Sequence, residues 1–362
     1  MPSLFDPIKL GAINCPNRIL MAPLTRTRAT REHVPTPIMR DYYVQRASAG
    51  LIISEAVGIS RVGMGTPFAP GIWTDEQMEA WKPIVGGVHE AGGRIICQLW
   101  HMGRLAHSTV IGETPVSSSA TAFGEMAHTY EGRFPYDTAR PLELHEIPDV
   151  IDEYARAAGR AIAAGFDGVQ IHAANGYLID QFLRDGVNHR DDDYGGSIEN
   201  RTRLLRQVTA AVVDVVGADR TSVRLSPNGE VQGVNDSNPE PLFTAAAELL
   251  DEIGIAFLEL REPRPNGTFG KGDVPPVAPA IRKAFRNPLV LNSDYDAASG
   301  QAELDSGVCD AIAYGRPYIA NPDLVERFAK GAEIAPDNMR TWYTPGEAGY
   351  TDYPTMDQAA AA

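Results

Sequence analysis

The chain reads as a single α/β domain folded as a (β/α)₈ TIM barrel, with a long capping insertion after the third strand. Three observations predict this. Short β-branched runs alternate with longer stretches of helical period. Most runs are continuously apolar rather than alternating, as parallel strands covered on both faces require. No linker composition interrupts the 362 residues, a length ordinary for such a barrel with loop insertions. A doubly wound open sheet is the alternative fold. Its G-x-G-x-x-G fingerprint is missing after the first strand, and the sequence has no P-loop.

The eight strands are expected at 18–21 (RILM), 51–54 (LIIS), 94–99 (RIICQL), 168–172 (GVQIH), 221–225 (TSVRL), 255–260 (IAFLEL), 288–292 (PLVLN) and 311–315 (AIAYG). A helical pattern follows each. The second helix opens on Thr74 to Gln77, a capping box, and sets Met78, Trp81, Val85 and Val88 on one face. The third carries Ile147, Val150, Ile151, Tyr154, Ala158 and Ala161 at helical spacing. Ser197 is the expected N-cap of the fourth, and Asn321 followed by Pro322 opens the eighth. Residues 101–146 are rich in Gly, Pro, Ser and Thr and follow the third strand. They read as a lid or substrate wall over the carboxyl face, against the plainer reading of a decorative insertion. Residues 355–362 read as a disordered tail.

The net charge is −15. Such a surface repels nucleic acid and anionic membranes, so an anionic ligand needs its own local cations. Three cysteines, Cys15, Cys97 and Cys309, are odd in number and far apart, which argues against disulfides and zinc. The first residues contain no signal-peptide stretch, and no run approaches membrane-spanning length. A cytoplasmic protein, monomer or homodimer, is expected, with small molecules as partners and no metal.

In a barrel, chemistry sits at the carboxyl ends of the strands. Polar residues gather there: Thr25 after Pro23 and Leu24, Ala56 after Glu55, Gln98 with Trp100, His172, Arg224, Ser293 with Asp294, and Gly315 with Arg316. His172, Asn175 and Tyr177 form the sharpest group. Two donors converging on one oxygen would polarise a carbonyl or nitro group, and a phenol two residues on can give a proton. A loop-capping His, a turn Asn and a packed Tyr is the competing account. Arg224 lies in an apolar strand, so it needs an anionic or electron-rich partner; an ion pair with Glu230 or Glu259 would satisfy it equally. Gly315 and Arg316 sit where barrels usually hold phosphate. Gln98 can donate and accept, which suits the edge of a flavin's pyrimidine ring. A cofactor-free aldolase- or hydrolase-type barrel and a non-catalytic small-molecule carrier are the rival readings.

NRILMAPLTR, GLIISEA, QLWHMGR, HAANGYLIDQFL, DDDYGGSIENR, RLSPNG and YGRPYIANPDL together cover almost the whole chain. The chain resembles the Old Yellow Enzyme family, in the branch of bacterial ene-reductases with Thr rather than Cys at position 25. The branch includes pentaerythritol tetranitrate reductase and 2-cyclohexenone reductase. The resemblance implies non-covalent FMN, reduced by NADPH or NADH, and hydride transfer from flavin N5 to activated C=C bonds of enones, enals, maleimides or nitroalkenes. Nitro compounds and nitrate esters are also implied as substrates. Pro23, Leu24, Thr25 and Ala56 are then expected against the isoalloxazine. Gln98 and Arg224 belong at its pyrimidine edge, and Ser293, Asp294, Gly315 and Arg316 at its phosphate. His172 and Asn175 would bind the substrate's activating oxygen, and Tyr177 would donate the proton. Tyr343, Trp100, Gln232 and Phe269 are expected to shape the pocket. Thr66 stands where relatives often carry a bulky aromatic, which implies a roomier site.

Overall fold

A computed structural model describes residues 2–263, 272 and 274–361. Eight parallel strands close into a barrel: β1 (Ile19–Met21), β2 (Ile52–Gly58), β3 (Ile95–Trp100), β4 (Gly168–His172), β5 (Thr221–Leu225), β6 (Phe257–Arg261), β7 (Leu289–Asn292) and β8 (Ala311–Tyr314), with β8 pairing back to β1. The main helices are α1 (Pro37–Val44), α2 (Asp75–Glu90), α3 (Ile147–Ala163), α4 (Arg203–Val216), α5 (Pro239–Ile253), α6 (Ala278–Ala284), α7 (Ala297–Ser306) and α8 (Leu324–Lys330).

Side-chain parity explains the layering. Ile19, Met21, Ile52, Ile95, Cys97, Leu99, Val169, Ile171, Val223 and Leu258 join the large core beneath the helices. Their alternates Leu20, Ile53, Ile96, Phe257, Val290, Ala311 and Ala313 fill the lower barrel interior. An N-terminal hairpin, Ile8–Leu10 with Ile13–Cys15, plugs that end with Leu10, Ile13 and Cys15. Gly11 is required at its turn: φ is +60°, and an added Cβ would lie 2.1 Å from the Asp219 carbonyl. Higher in the barrel the same inward parity becomes polar, at Gln98, Gln170, Arg224, Glu259 and Asn292.

The expected capping box of α2 forms, with Thr74 accepting from the Gln77 N–H. Ser197 likewise caps the short helix Ile198–Arg201 ahead of α4. The start of α8 differs. Asp323, not Asn321, is its N-cap, because a separate helix, Arg316–Ala320, intervenes. Asn321 instead bonds the carbonyls of Pro317 and Ala335. Met356–Ala361 is helical, since Thr355 and Gln358 cap one another and Asp323 accepts from the Met356 N–H.

The insertion after β3 is built rather than loose. It holds the antiparallel hairpin Met126–Thr129 with Gly132–Pro135. Ser117 and Ser118 are buried, donating to the Gln181 side chain and carbonyl at 2.8 Å each. Among the described residues, no helix is long and apolar enough to cross a membrane.

Candidate active site

Strand register brings the polar residues into one mouth. Ala56 pairs with Gln98, Gln98 with Gln170, His172 with Arg224, and Arg224 with Glu259. A register shift in β2 falls between Ile53 and Ala56, at Ser54 and Glu55. Ser54 Oγ accepts from the Gln98 N–H at 3.0 Å. Glu55 is buried and accepts from the Arg26 N–H at 3.2 Å and the Tyr43 hydroxyl at 3.3 Å, which ties β2 to the segment carrying Thr25. Burial pushes its carboxyl up to about 7.

His172, Asn175 and Tyr177 share a short turn between β4 and the helix Leu178–Leu183. Asn175 and Gly176 are both left-handed, at φ 57° and 79°. Asn tolerates this conformation, and at Gly176 an added Cβ would lie 3.1 Å from the Val231 carbonyl. Ser226 Oγ accepts from the Asn175 N–H at 2.7 Å, and Asp180 accepts from the Gly176 N–H at 2.8 Å. Arg184 in turn holds Asp180 at 2.9 Å. The Tyr177 ring meets His172 edge-on at 4.8 Å and Trp100 at 5.0 Å. Burial lowers the His172 imidazole well below its usual value, helped by the Arg224 charge. Burial also raises the Tyr177 phenol to about 12, opposed by a hydrogen bond with the Gln232 side chain.

Buried polar atoms in this mouth lack partners. His172 Nδ1, Asn175 Oδ1, Trp100 Nε1 and Arg224 Nε have none among the described residues. Stranded buried groups of this kind cost about 1–3 kcal/mol each, so their convergence points to a ligand that satisfies them. The rest of Arg224 is engaged: Nη1 donates to Glu259 at 2.7 Å and Nη2 to Asn292 at 2.8 Å. Glu259 is thus the ion-pair partner. Glu230 is elsewhere, accepting from Asn235. Burial pushes the Glu259 carboxyl up and the Arg224 charge pulls it back.

Several of the remaining expected residues lie at or just past the carboxyl ends of β1, β2, β7 and β8. Leu24 lies beside Gly315, where an added Cβ would stand 3.5 Å from Leu24 Cδ2, in ordinary contact. Pro23, Thr25 and Leu24 are half-buried at the end of β1, and Ala56 is buried at the end of β2. Ser293 is buried, and Asp294 has φ 35°. Arg316 pairs with Asp337 at 2.8 Å, a partner the sequence did not suggest. Thr66 donates to the Met102 sulfur at 3.4 Å. Phe123 and Tyr136 of the insertion pack against the cluster that holds Trp100, as Tyr177 does. Tyr343 is 63% exposed at the rim. Arg26 and Arg28 grip its segment through the carbonyls of Trp342 and Gly349. Phe269 lies outside the described residues. Among those described, no group of three or more His, Cys, Asp or Glu could hold a metal ion.

A crevice of about 380 Å³ opens at the opposite end of the barrel, lined by Asn14, Arg94, Phe166, Asp167 and Arg220. It contains none of the mouth residues, and that face of a barrel ordinarily serves stability.

The model of the NADH:flavin oxidoreductase / NADH oxidase family matches residues 3–334. The structure of the Old Yellow Enzyme homologue from Zymomonas mobilis is 60% identical. It covers 98% of this chain and 99% of its own, at a TM-score of 0.97. Morphinone reductase in complex with tetrahydroNAD is 44% identical over 99% of both chains, at 0.93. 12-Oxophytodienoate reductase 7 of Oryza sativa subsp. japonica is 39% identical over 377 residues, 98% of this chain and 95% of that protein.

Proposed function

From this chain's membership of the NADH:flavin oxidoreductase / NADH oxidase family, we propose that it is an ene-reductase: an FMN enzyme, drawing electrons from NADPH or NADH, that saturates the C=C bonds of enones, enals, maleimides and nitroalkenes. When bound, FMN supplies the carrier that accepts hydride from the nicotinamide and hands it to the electron-poor carbon.

The residues fit that cofactor. Arg224 Nε is buried and partnerless, ready for an electron-rich ring edge. Gln98 beside it offers a donor and an acceptor. Gly315 presents bare backbone next to Leu24, and Arg316, steadied by Asp337, supplies a cation for phosphate. Backbone groups of Ser293, Asp294 and Gly315 complete that phosphate cradle. Pro23, Leu24, Thr25 and Ala56 face the ring system.

His172 and Asn175 bind the carbonyl or nitro oxygen of the alkene and draw electron density from its β-carbon. The imidazole is neutral at physiological pH and therefore acts as a hydrogen-bond donor, not as an acid. Tyr177 keeps its proton until about pH 12 and delivers it to the α-carbon. Trp100, Gln232 and Tyr343 wall the pocket, and the small Thr66 leaves it wide. The observation that carries this reading is the buried, unpartnered His172 Nδ1, with its ring 4.8 Å from that of Tyr177, whose phenol burial raises to about 12. Anaerobic addition of NADPH to the purified yellow protein, followed by a panel of enones, maleimides and nitroalkenes, tests it. Bleaching and then recovery of colour is expected. A colourless protein that cannot be reconstituted with FMN would return the rival cofactor-free barrel.

A further inference from the structure

The upper barrel interior holds a chain of hydrogen bonds that the proposed reaction does not use. Gln98 Nε2 donates to Gln170 Oε1 at 2.7 Å, and Gln170 Nε2 donates to Glu259 Oε2 at 2.8 Å. Arg224 Nη1 donates to the other Glu259 oxygen at 2.7 Å. Asn292 accepts from Arg224 Nη2 and donates to the Ala313 carbonyl at 2.7 Å. Gln98, Gln170 and Glu259 are all buried, with Gln170 and Glu259 wholly out of solvent.

An amide can turn either way, but an ionised carboxylate only accepts. Glu259 therefore dictates the direction of the whole row. Gln170 must aim its NH₂ at Glu259, which leaves its carbonyl for Gln98. Gln98 must aim one N–H at that carbonyl. What remains for a ligand in the mouth is the Gln98 carbonyl and its second N–H. That pattern complements the imide edge of a pyrimidinedione, in which an N–H donor is flanked by carbonyl acceptors. The same carboxylate fixes the Arg224 fork, leaving Nε unpaired.

We infer that Glu259 and Gln170 are positioning residues that set the hydrogen-bond polarity of Gln98 and the orientation of Arg224, and thereby the recognition and redox tuning of the flavin's pyrimidine edge. The inference rests on the flavin reading given above. Glu259→Gln makes a sharp perturbation. The new amide must turn its carbonyl to Arg224 and its NH₂ to Gln170. Gln170 then flips, and Gln98 flips after it. Gln98 now offers only donors where an acceptor stood. The negative charge under Arg224 is also gone, so the anionic reduced flavin is favoured over the oxidised form.

The test measures FMN affinity by fluorescence titration of the flavin-free protein, and the redox potential of the loaded protein. Glu259→Gln is expected to raise the FMN Kd at least tenfold. It should also raise the reduced-to-oxidised affinity ratio at least tenfold, a positive shift of about 30 mV for a two-electron couple. Gln170→Met breaks the row but spares the Arg224–Glu259 pair. It should weaken FMN about tenfold while leaving that ratio within about threefold of wild type, and it decides the matter if the first variant does not fold. Wild-type Kd in either folded variant overturns the inference, as does Gln170→Met moving the ratio as far as Glu259→Gln does. A wild-type protein without FMN affinity overturns the flavin reading instead, so the two failures are distinguishable.

Discussion

Replacing Tyr177 by Phe removes one oxygen and little else. The ring keeps its edge contacts with His172 at 4.8 Å and Trp100 at 5.0 Å. The lost hydroxyl bond to the Gln232 side chain is worth about 1 kcal/mol, so the variant folds and retains FMN. A positioned general acid contributes roughly 10²–10⁴-fold to a rate, or about 3–5 kcal/mol of barrier. Anaerobic stopped-flow measurement separates the two halves of the cycle. Bleaching by NADPH should stay within about twofold of wild type, because that half needs no proton from Tyr177. Recovery of colour on adding 2-cyclohexenone should slow by roughly 10²–10⁴-fold. The pH profile adds a second check. Burial raises the phenol to about 12 from an ordinary value near 10. The donating form is the protonated one, so wild-type recovery should hold steady through about pH 10 and fall only toward 12. An unchanged recovery rate in Tyr177→Phe would refute the assignment.

Three further perturbations separate the parts of the site. Glu55 has a folded-state value of about 7, above its ordinary 4.5, so the folded protein holds a proton that the unfolded chain releases between those values. Stability therefore falls as pH rises through that window, by up to roughly 3 kcal/mol. Glu55→Gln should melt at or above wild type at pH 8 and lose its advantage near pH 4.5; a lower melting temperature at pH 8 counts against this. Arg316→Ala should raise the FMN Kd by roughly 10–100-fold, since a charge-assisted bond is worth about 1.5–3 kcal/mol. Unchanged affinity in a fluorescence titration would remove Arg316 from the phosphate site. Gly176→Ala forces a Cβ to 3.1 Å from the Val231 carbonyl at φ 79°, a strain of about 1–2 kcal/mol in the turn that aims Tyr177. Alkene kcat/KM should drop about tenfold or more with FMN content unchanged; full activity would show that the turn tolerates the change.

The barrel was legible because buried parallel strands leave unbroken apolar runs. GVQIH and TSVRL match β4 and β5 end for end. LIIS does not stop at 54, however. The strand continues to Gly58 because Ser54 and Glu55 are polar yet buried, satisfied by Gln98, Arg26 and Tyr43. Polarity that is internally satisfied looks like a strand end from sequence alone. The N-terminal hairpin leaves little trace in the sequence because its strands are only three residues long. The site divides in the same way. His172, Asn175 and Tyr177 stood out by close spacing in one loop. Ser226 lies 51 residues from Asn175, and Glu259 lies 89 from Gln170. No local pattern connects residues that only barrel closure brings together. Asp180 and Gln181 lie inside the HAANGYLIDQFL motif, yet nothing in it distinguishes the groups that brace the turn from those that face the substrate.

A single physical effect divides the labour in the mouth. Removal from water penalises whichever form of a group is charged. For His172 that form is protonated, so its affinity for a proton falls, and the neighbouring Arg224 charge lowers it further. For Tyr177 it is the deprotonated form, so the phenol holds its proton more tightly. Two side chains with rings 4.8 Å apart are thus driven to neutrality from opposite directions. A neutral imidazole has no spare proton at physiological pH; it can polarise an oxygen but cannot protonate a carbon. A phenol held near 12 is reluctant in the ground state. As the proposed acid it would give up its proton only once negative charge has built on the adjacent α-carbon. In the proposed mechanism proton transfer is therefore tied to prior polarisation of the substrate, with donor and acid assigned by burial and not by residue type.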